Sequence, residues 1–173
     1  MAALSGRERV ERDAEARGLA IEIRERLRAG SLEEAAAILG ITPADIVKTL
    51  VVKRSDGTFL FALVPGDRQI GWAKLRAVVG VNRLQLPDAE QALAATGYER
   101  GTITPLGSAT AWPVYADSSM LGRRVSLGAG EHGLSLFVEA DELVAALDAT
   151  VADITEPLRS GDRGGPQGRQ PGD

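Results

Sequence analysis

A chain of 173 residues is one ordinary domain in size, large enough to enclose a real core and too short for two full ones. With 44% hydrophobic and 25% charged residues it reads as a soluble globular protein of the cytoplasm; no run approaches the roughly 20 apolar residues of a membrane span, and the polar start lacks a signal-peptide centre. The absence of cysteine excludes disulfides, thiolate metal sites and a Cys nucleophile, and a net charge of -4 argues against sequence-blind binding to duplex DNA while leaving room for a pocket that takes one nucleotide end.

Residues Arg7 to Arg17 have helical spacing and stop at Gly18, after which Leu19, Ile21 and Ile23 alternate with polar neighbours as in a half-buried strand. Ser31 and Glu34 form a capping-box pair that opens a short helix over LEEAAAIL, ended by Gly40. VKTLVVK and TFLFALV are two β-rich runs joined through Asp56 and Gly57, a hairpin signal that predicts two central antiparallel strands. GWAKLRAVVG reads as a second helix, RLQL as a strand, and AEQALAAT as a third helix with Asp88 as N-cap. Gly97 to Gly107 follows no period and is a loop. Strands return at Trp112 to Ala116, Arg124 to Leu127 and Leu134 to Val138, and DELVAAL forms a last helix. From Pro157 the chain is nearly free of apolar side chains, so residues 1–156 are expected to be the domain and 157–173 a disordered tail. The early hairpin breaks any strict βαβ repeat. The expected class is therefore α+β, a single domain with a mixed, mostly antiparallel sheet flanked by short helices.

Three places stand out for chemistry: the KTL tripeptide at Lys48, the loop from Gly97 to Gly107, and the glycine-rich turn from Gly128 to Gly133. Each alone is weak, since a strand-opening lysine is usually solvated and a glycine loop is usually only a turn. His132 is the one histidine and has the right intrinsic pKa for a general base, but in a Gly-flanked turn it reads first as an exposed polar residue.

Taken together, EEAAAILGI, VKTLVV, TGYERGTITPLG and GAGEHGLSL followed by DEL resemble the YbaK family of aminoacyl-tRNA deacylases, related to the editing domain of bacterial prolyl-tRNA synthetases. The resemblance runs from about residue 8 to residue 155. It implies the fold of that family and a pocket for the 3' end of a mischarged tRNA, whose aminoacyl ester is hydrolysed without cofactor or metal. Lys48 is implied to hold the terminal nucleotide through phosphate or ribose oxygens, a role suited to a compact ammonium. The stretch Gly101, Thr102, Ile103, Thr104, Pro105 matches the family's G-x-x-x-P loop, where small residues bring backbone N–H groups to the ester carbonyl as an oxyanion site. Water, or a substrate thiol, then attacks with help from a ribose hydroxyl.

Around these residues Tyr98, Asp117, Ser126, Gly128 and Gly130 are the implied substrate-binding positions. Tyr98 packs beneath the loop or reaches the ligand; Asp117 orients pocket groups or caps the following Ser118–Ser119 turn. Gly128 stands where Cys-tRNA deacylases of the family carry a serine, which weighs against Cys-specific editing and toward Ala within the expected class of small wrong amino acids such as Ala or Cys, with Ser126 as a substitute hydroxyl. The partners implied are the tRNA 3' end with its amino acid, most naturally tRNA for proline, and prolyl-tRNA synthetase itself, with no membrane involved. The alternative is a noncatalytic module that binds tRNA ends or aminoacyl ligands in the same pocket.

Overall fold

The computed structural model describes residues 3–25 and 31–158. Helix α1 (Gly6–Ala16) starts at a full capping box, with the Ser5 hydroxyl accepting from the Glu8 N–H and the Glu8 carboxylate accepting from the Ser5 N–H. Strand β1 (Glu22–Glu25) and α2 (Leu32–Leu39) follow, the latter capped by Ser31 and closed by the left-handed Gly40. After a 3-10 turn at Pro43–Asp45, β2 (Val47–Arg54) and β3 (Phe59–Pro65) make the expected hairpin, running antiparallel from Val47 opposite Pro65 to Lys53 opposite Phe59. Next come β4 (Arg68–Ile70), α3 (Trp72–Val79), β5 (Leu84–Gln85) and α4 (Ala89–Thr96), with Asp88 capping α4 through the Gln91 N–H. The chain then passes through the 97–107 loop to β6 (Val114–Asp117), β7 (Arg124–Gly128), β8 (Leu134–Glu139), α5 (Ala140–Ala146), β9 (Thr150–Ala152) and β10 (Thr155–Pro157).

A five-stranded mixed sheet of order β5-β2-β3-β6-β9 forms the centre, antiparallel up to β3 and parallel beyond it. β3 is buried on both faces, which its unbroken apolar sequence requires. Phe61 and Leu63 enter one core with Val47, Val51 and Ala116, shared with α1 and the separate three-stranded sheet β1-β8-β7. Leu60, Ala62 and Val64 enter a second core with Val52, closed by Trp72 and Leu75 of α3 and by Ile154. A parallel bridge between Ile46 and Ser126 joins the two sheets beside the first residue of β2. The expected α+β class holds, with a mixed sheet and, among the described residues, five short α-helices.

Three short strands depart from the sequence reading. β4 and β10 pair antiparallel as a sheet of their own, and β9 adds in parallel to β6. The early strand begins at Glu22 rather than Leu19, although Leu19, Ile21 and Ile23 all turn toward the core. β10 runs through Pro157, one residue into the stretch expected as a tail; residues 159–173 lie outside the described residues. Among the described residues no helix is long and apolar enough to cross a membrane.

Candidate active site

β5 pairs with β2 only at Lys53 and Arg54 and β7 bridges to it only at Ile46, so among the described residues no strand covers the outer edge of β2 from Lys48 to Val52. The hydrogen bonds Gly66 N–H to Ile46 O (2.7 Å) and Arg54 N–H to Thr58 O (2.8 Å) assign the even-numbered residues of β2 to the ladder with β3. By the alternation of an antiparallel pair, the amide groups of Thr49 and Val51 face the open edge.

Along that edge lies a cavity of about 340 Å³, walled by β2, the end of β7 and the loop residues Arg100, Gly101 and Ile103. Among the described residues its charged lining residues are Lys48 and Arg100, both cations, with no carboxylate or imidazole beside them. Apart from the hydroxyls of Thr49, Ser126 and Ser135, the remaining side chains of the wall are apolar. A space of this kind accepts an anion at its charged part and a small apolar group at its greasy part.

Lys48 is half-buried, and its Nζ donates to the carbonyl oxygen of Arg68 on β4 at 2.8 Å. Burial pushes its pKa down to about 8, against the opposing pull of the Asp67 carboxylate. The ammonium is therefore still the main form at neutral pH, poorly solvated and with two of its three donors free of this bond.

Gly101 has φ +92°, a conformation open to glycine. Neither its N–H nor that of Ile103 donates to another described residue, whereas the Thr102 N–H is taken by the Glu99 carbonyl at 3.0 Å. Two free backbone donors thus belong to residues on the cavity wall, flanking a third that is already occupied. Ser126 lines the cavity and is buried, and Gly128 lines it beside the loop. A Cβ on Gly128 would stand 2.4 Å from the Ile103 carbonyl oxygen and 2.9 Å from that of Thr102, so the loop's approach requires glycine here.

The structure thus gathers Lys48, Gly101, Ile103, Ser126 and Gly128 around one space. The other expected site residues do not line it. Thr102 is buried with its hydroxyl donating to Glu99 O at 2.7 Å, and Pro105 is buried without lining the cavity. Tyr98 packs under the loop, its hydroxyl donating to Leu106 O at 2.7 Å and its pKa pushed up to about 12 by burial. Gly130 donates its N–H to Thr102 O at 2.9 Å and so ties the glycine turn to the loop. Asp117 is buried at the end of β6, where it accepts from the Ile154 N–H (3.1 Å) and from the Ser119 N–H and hydroxyl. His132 is exposed, with a ring nitrogen 2.9 Å from Oε2 of Glu99.

Sequence reasoning passed over Thr49 and Arg100. The Thr49 hydroxyl is buried on the cavity wall with no partner among the described residues, the state of a polar group that a ligand would satisfy. Replacing it by the near-isosteric valine is expected to stabilise the fold by about 1 kcal/mol, since a desolvated, unbonded hydroxyl is removed. The same change is expected to raise KM for a cavity ligand. A melt combined with a KM measurement checks both, and an unchanged Tm would show that the hydroxyl is not desolvated.

The family model of the aminoacyl-tRNA editing domain matches residues 28–146. EbsC of Enterococcus faecalis, a candidate Cys-tRNA(Pro)/Cys-tRNA(Cys) deacylase, is 27% identical over 126 residues, covering 72% of this chain and 77% of that protein. A proline–tRNA ligase of Thermosipho africanus is 41% identical over 78 residues, 45% of this chain but only 14% of the ligase, so the chain corresponds to a small part of such relatives. Among solved structures, a candidate trans-editing enzyme for prolyl tRNA synthetase superposes with a TM-score of 0.81 at 28% identity, covering 90% of this chain and 99% of that one.

Proposed function

The chain belongs to the aminoacyl-tRNA editing domain family, and from this premise we propose that it is an aminoacyl-tRNA deacylase that clears a small wrong amino acid from tRNA for proline. The observation that carries the reading is the cavity itself. Two cations and, among the described residues, no anion suit the phosphate-bearing 3' end, and the apolar part of the 340 Å³ cavity suits a short side chain. In this reading Lys48 grips the terminal nucleotide, and the free N–H groups of Gly101 and Ile103 receive the charge that develops on the ester oxygen.

The reaction needs no side-chain nucleophile. Water adds to the ester carbonyl carbon, the bond from that carbon to the ribose oxygen breaks, and the ribose oxygen takes a proton, giving free amino acid and deacylated tRNA. The neighbouring ribose hydroxyl of the substrate serves as the proton relay, which agrees with a wall whose described residues include no carboxylate or imidazole.

Gly128 supports Ala over Cys as the amino acid removed. It offers no hydroxyl to orient a thiol, and the loop carbonyls fill the place of its side chain. One methylene in an apolar pocket is worth only about 1 to 3 kcal/mol, so rejection of cognate Pro has to come from steric exclusion by the wall. A single-turnover panel of Ala, Cys, Ser, Thr and Pro on tRNA for proline is expected to show fastest hydrolysis with Ala and none with Pro. A strong preference for Cys would remove Gly128 from the specificity argument, and saturable binding without hydrolysis of any member would favour a noncatalytic module.

A further inference from the structure

Helix α1 lends no residue to the cavity wall and precedes the matched span 28–146, yet it carries a charged face that turns inward. Arg9, Asp13 and Arg17 follow one another at intervals of four, so they share that face. Arg9 donates through Nε (3.0 Å) and Nη2 (2.6 Å) to the carbonyl oxygen of Gly107, through Nη2 to Thr96 O (3.0 Å) and through Nη1 to Gly97 O (3.2 Å). Its guanidinium carbon lies 4.4 Å from the centre of the Tyr98 ring, and Asp13 Oδ2 accepts the Gly107 N–H at 2.8 Å. One side chain thus holds both ends of the 97–107 loop.

Two glycines leave room for it. A Cβ on Gly97 would stand 2.7 and 2.8 Å from the Arg9 Nη atoms, and one on Gly107 would stand 2.7 Å from the Arg9 backbone carbonyl and 2.6 Å from the Tyr98 hydroxyl. Thr96 and Gly97 also close α4, whose last carbonyls lack helical partners, and a cation is favoured at that end. Gly101 and Ile103 each lie four residues inside the clamped ends.

We propose that Arg9 is a positioning residue for the loop, setting where the Gly101 and Ile103 amides point, so that α1 is part of the working site without touching substrate. The inference rests on the reading of those amides as the oxyanion site. Only arginine suits this position, because its planar fork reaches three carbonyls at once, whereas a lysine ammonium on a flexible stem cannot hold both loop ends in a fixed plane. A misplacement of about 1 Å in such a site costs roughly 100-fold in rate.

The test compares Arg9→Lys and Arg9→Ala with Arg12→Ala on the same helix, by amide hydrogen exchange and by single-turnover deacylation. Exchange is expected to quicken within 97–107 in both Arg9 variants and to stay at the wild-type rate in Arg12→Ala. The chemical rate is expected to fall about 10- to 100-fold with KM changed less than about threefold, and low-millimolar guanidinium to restore part of it in Arg9→Ala but not in Arg9→Lys. If Arg9→Ala does not fold, Arg9→Lys, which keeps the charge, carries the comparison. Wild-type exchange in the loop of Arg9→Lys, or a rate loss matched by an equal rise in KM, overturns the proposal. A wild-type protein that hydrolyses no aminoacyl-tRNA overturns the editing reading instead, and the exchange data still decide whether Arg9 fixes the loop.

Discussion

Gly101→Ala is expected to lower the single-turnover hydrolysis rate by about 100-fold or more, in the range seen when one oxyanion donor is removed. The reason is torsional. At φ +92° an L-residue is strained by about 1 to 3 kcal/mol, yet a Cβ there would meet nothing closer than the His132 Cε1 at 3.9 Å. The added methyl group therefore has room, and the backbone relieves the strain by rotating. Because the Gly101 N–H bonds to no other described residue, nothing holds it in place as the peptide turns. The fold is expected to survive with a small change in Tm, while the rate of the chemical step collapses. A well-folded Gly101→Ala protein with wild-type turnover would remove this amide from the mechanism.

Lys48→Ala is expected to reduce kcat/KM by about 10- to 150-fold, the worth of a charge-assisted hydrogen bond, and chiefly through KM. The pH dependence has a definite sign. Lys48 must be protonated to grip an anion, so KM for the wild-type protein is expected to climb as pH passes about 8 and to do so no longer in the variant. Stability moves the other way. Between about 8 and the ordinary 10.5 the unfolded chain holds a proton that the folded chain has released, so folding gains stability with rising pH across that window, and the burial penalty is complete below it. Accordingly the Tm of the wild type relative to Lys48→Met should rise through the same window. A flat difference, together with a pH-independent KM in the wild type, would show that Lys48 is neither desolvated nor engaged with substrate.

Local signals in the sequence carry the hairpin at Asp56–Gly57, the caps at Ser31 and Asp88, and the loop that holds the free amides. These elements are specified within a few residues of themselves, so reading along the chain finds them. β4, β9 and β10 are three residues each and exist because a distant strand offers a partner, a condition that leaves no period behind. The same distinction divides the site. Lys48 and the loop are visible through a motif, but Thr49 is an ordinary β-branched strand residue until the open edge beside it is known. Arg9 sits in a helix of which 7 of 11 residues are charged, GRERVERDAEA, where an arginine reads as solvated. Asp117 is legible as a polar residue at a turn, and of the two roles open to it the turn cap is the one its bonds display, joined by a tie to Ile154.

The carbonyl that receives Lys48 belongs to Arg68, on a strand whose ladder partner is β10. Arg68 also reaches across to Thr155 through its Nε at 2.6 Å, and Lys74 grips the Thr155 carbonyl at 2.9 Å. The span matched by the family model ends at residue 146, short of Thr155 and β10. Any graft of this module into another protein, or any trimming toward a minimal fragment, has to be measured by those fastenings rather than by the homologous span: a piece cut at residue 146 would keep the whole signature and lose the scaffold behind its lysine.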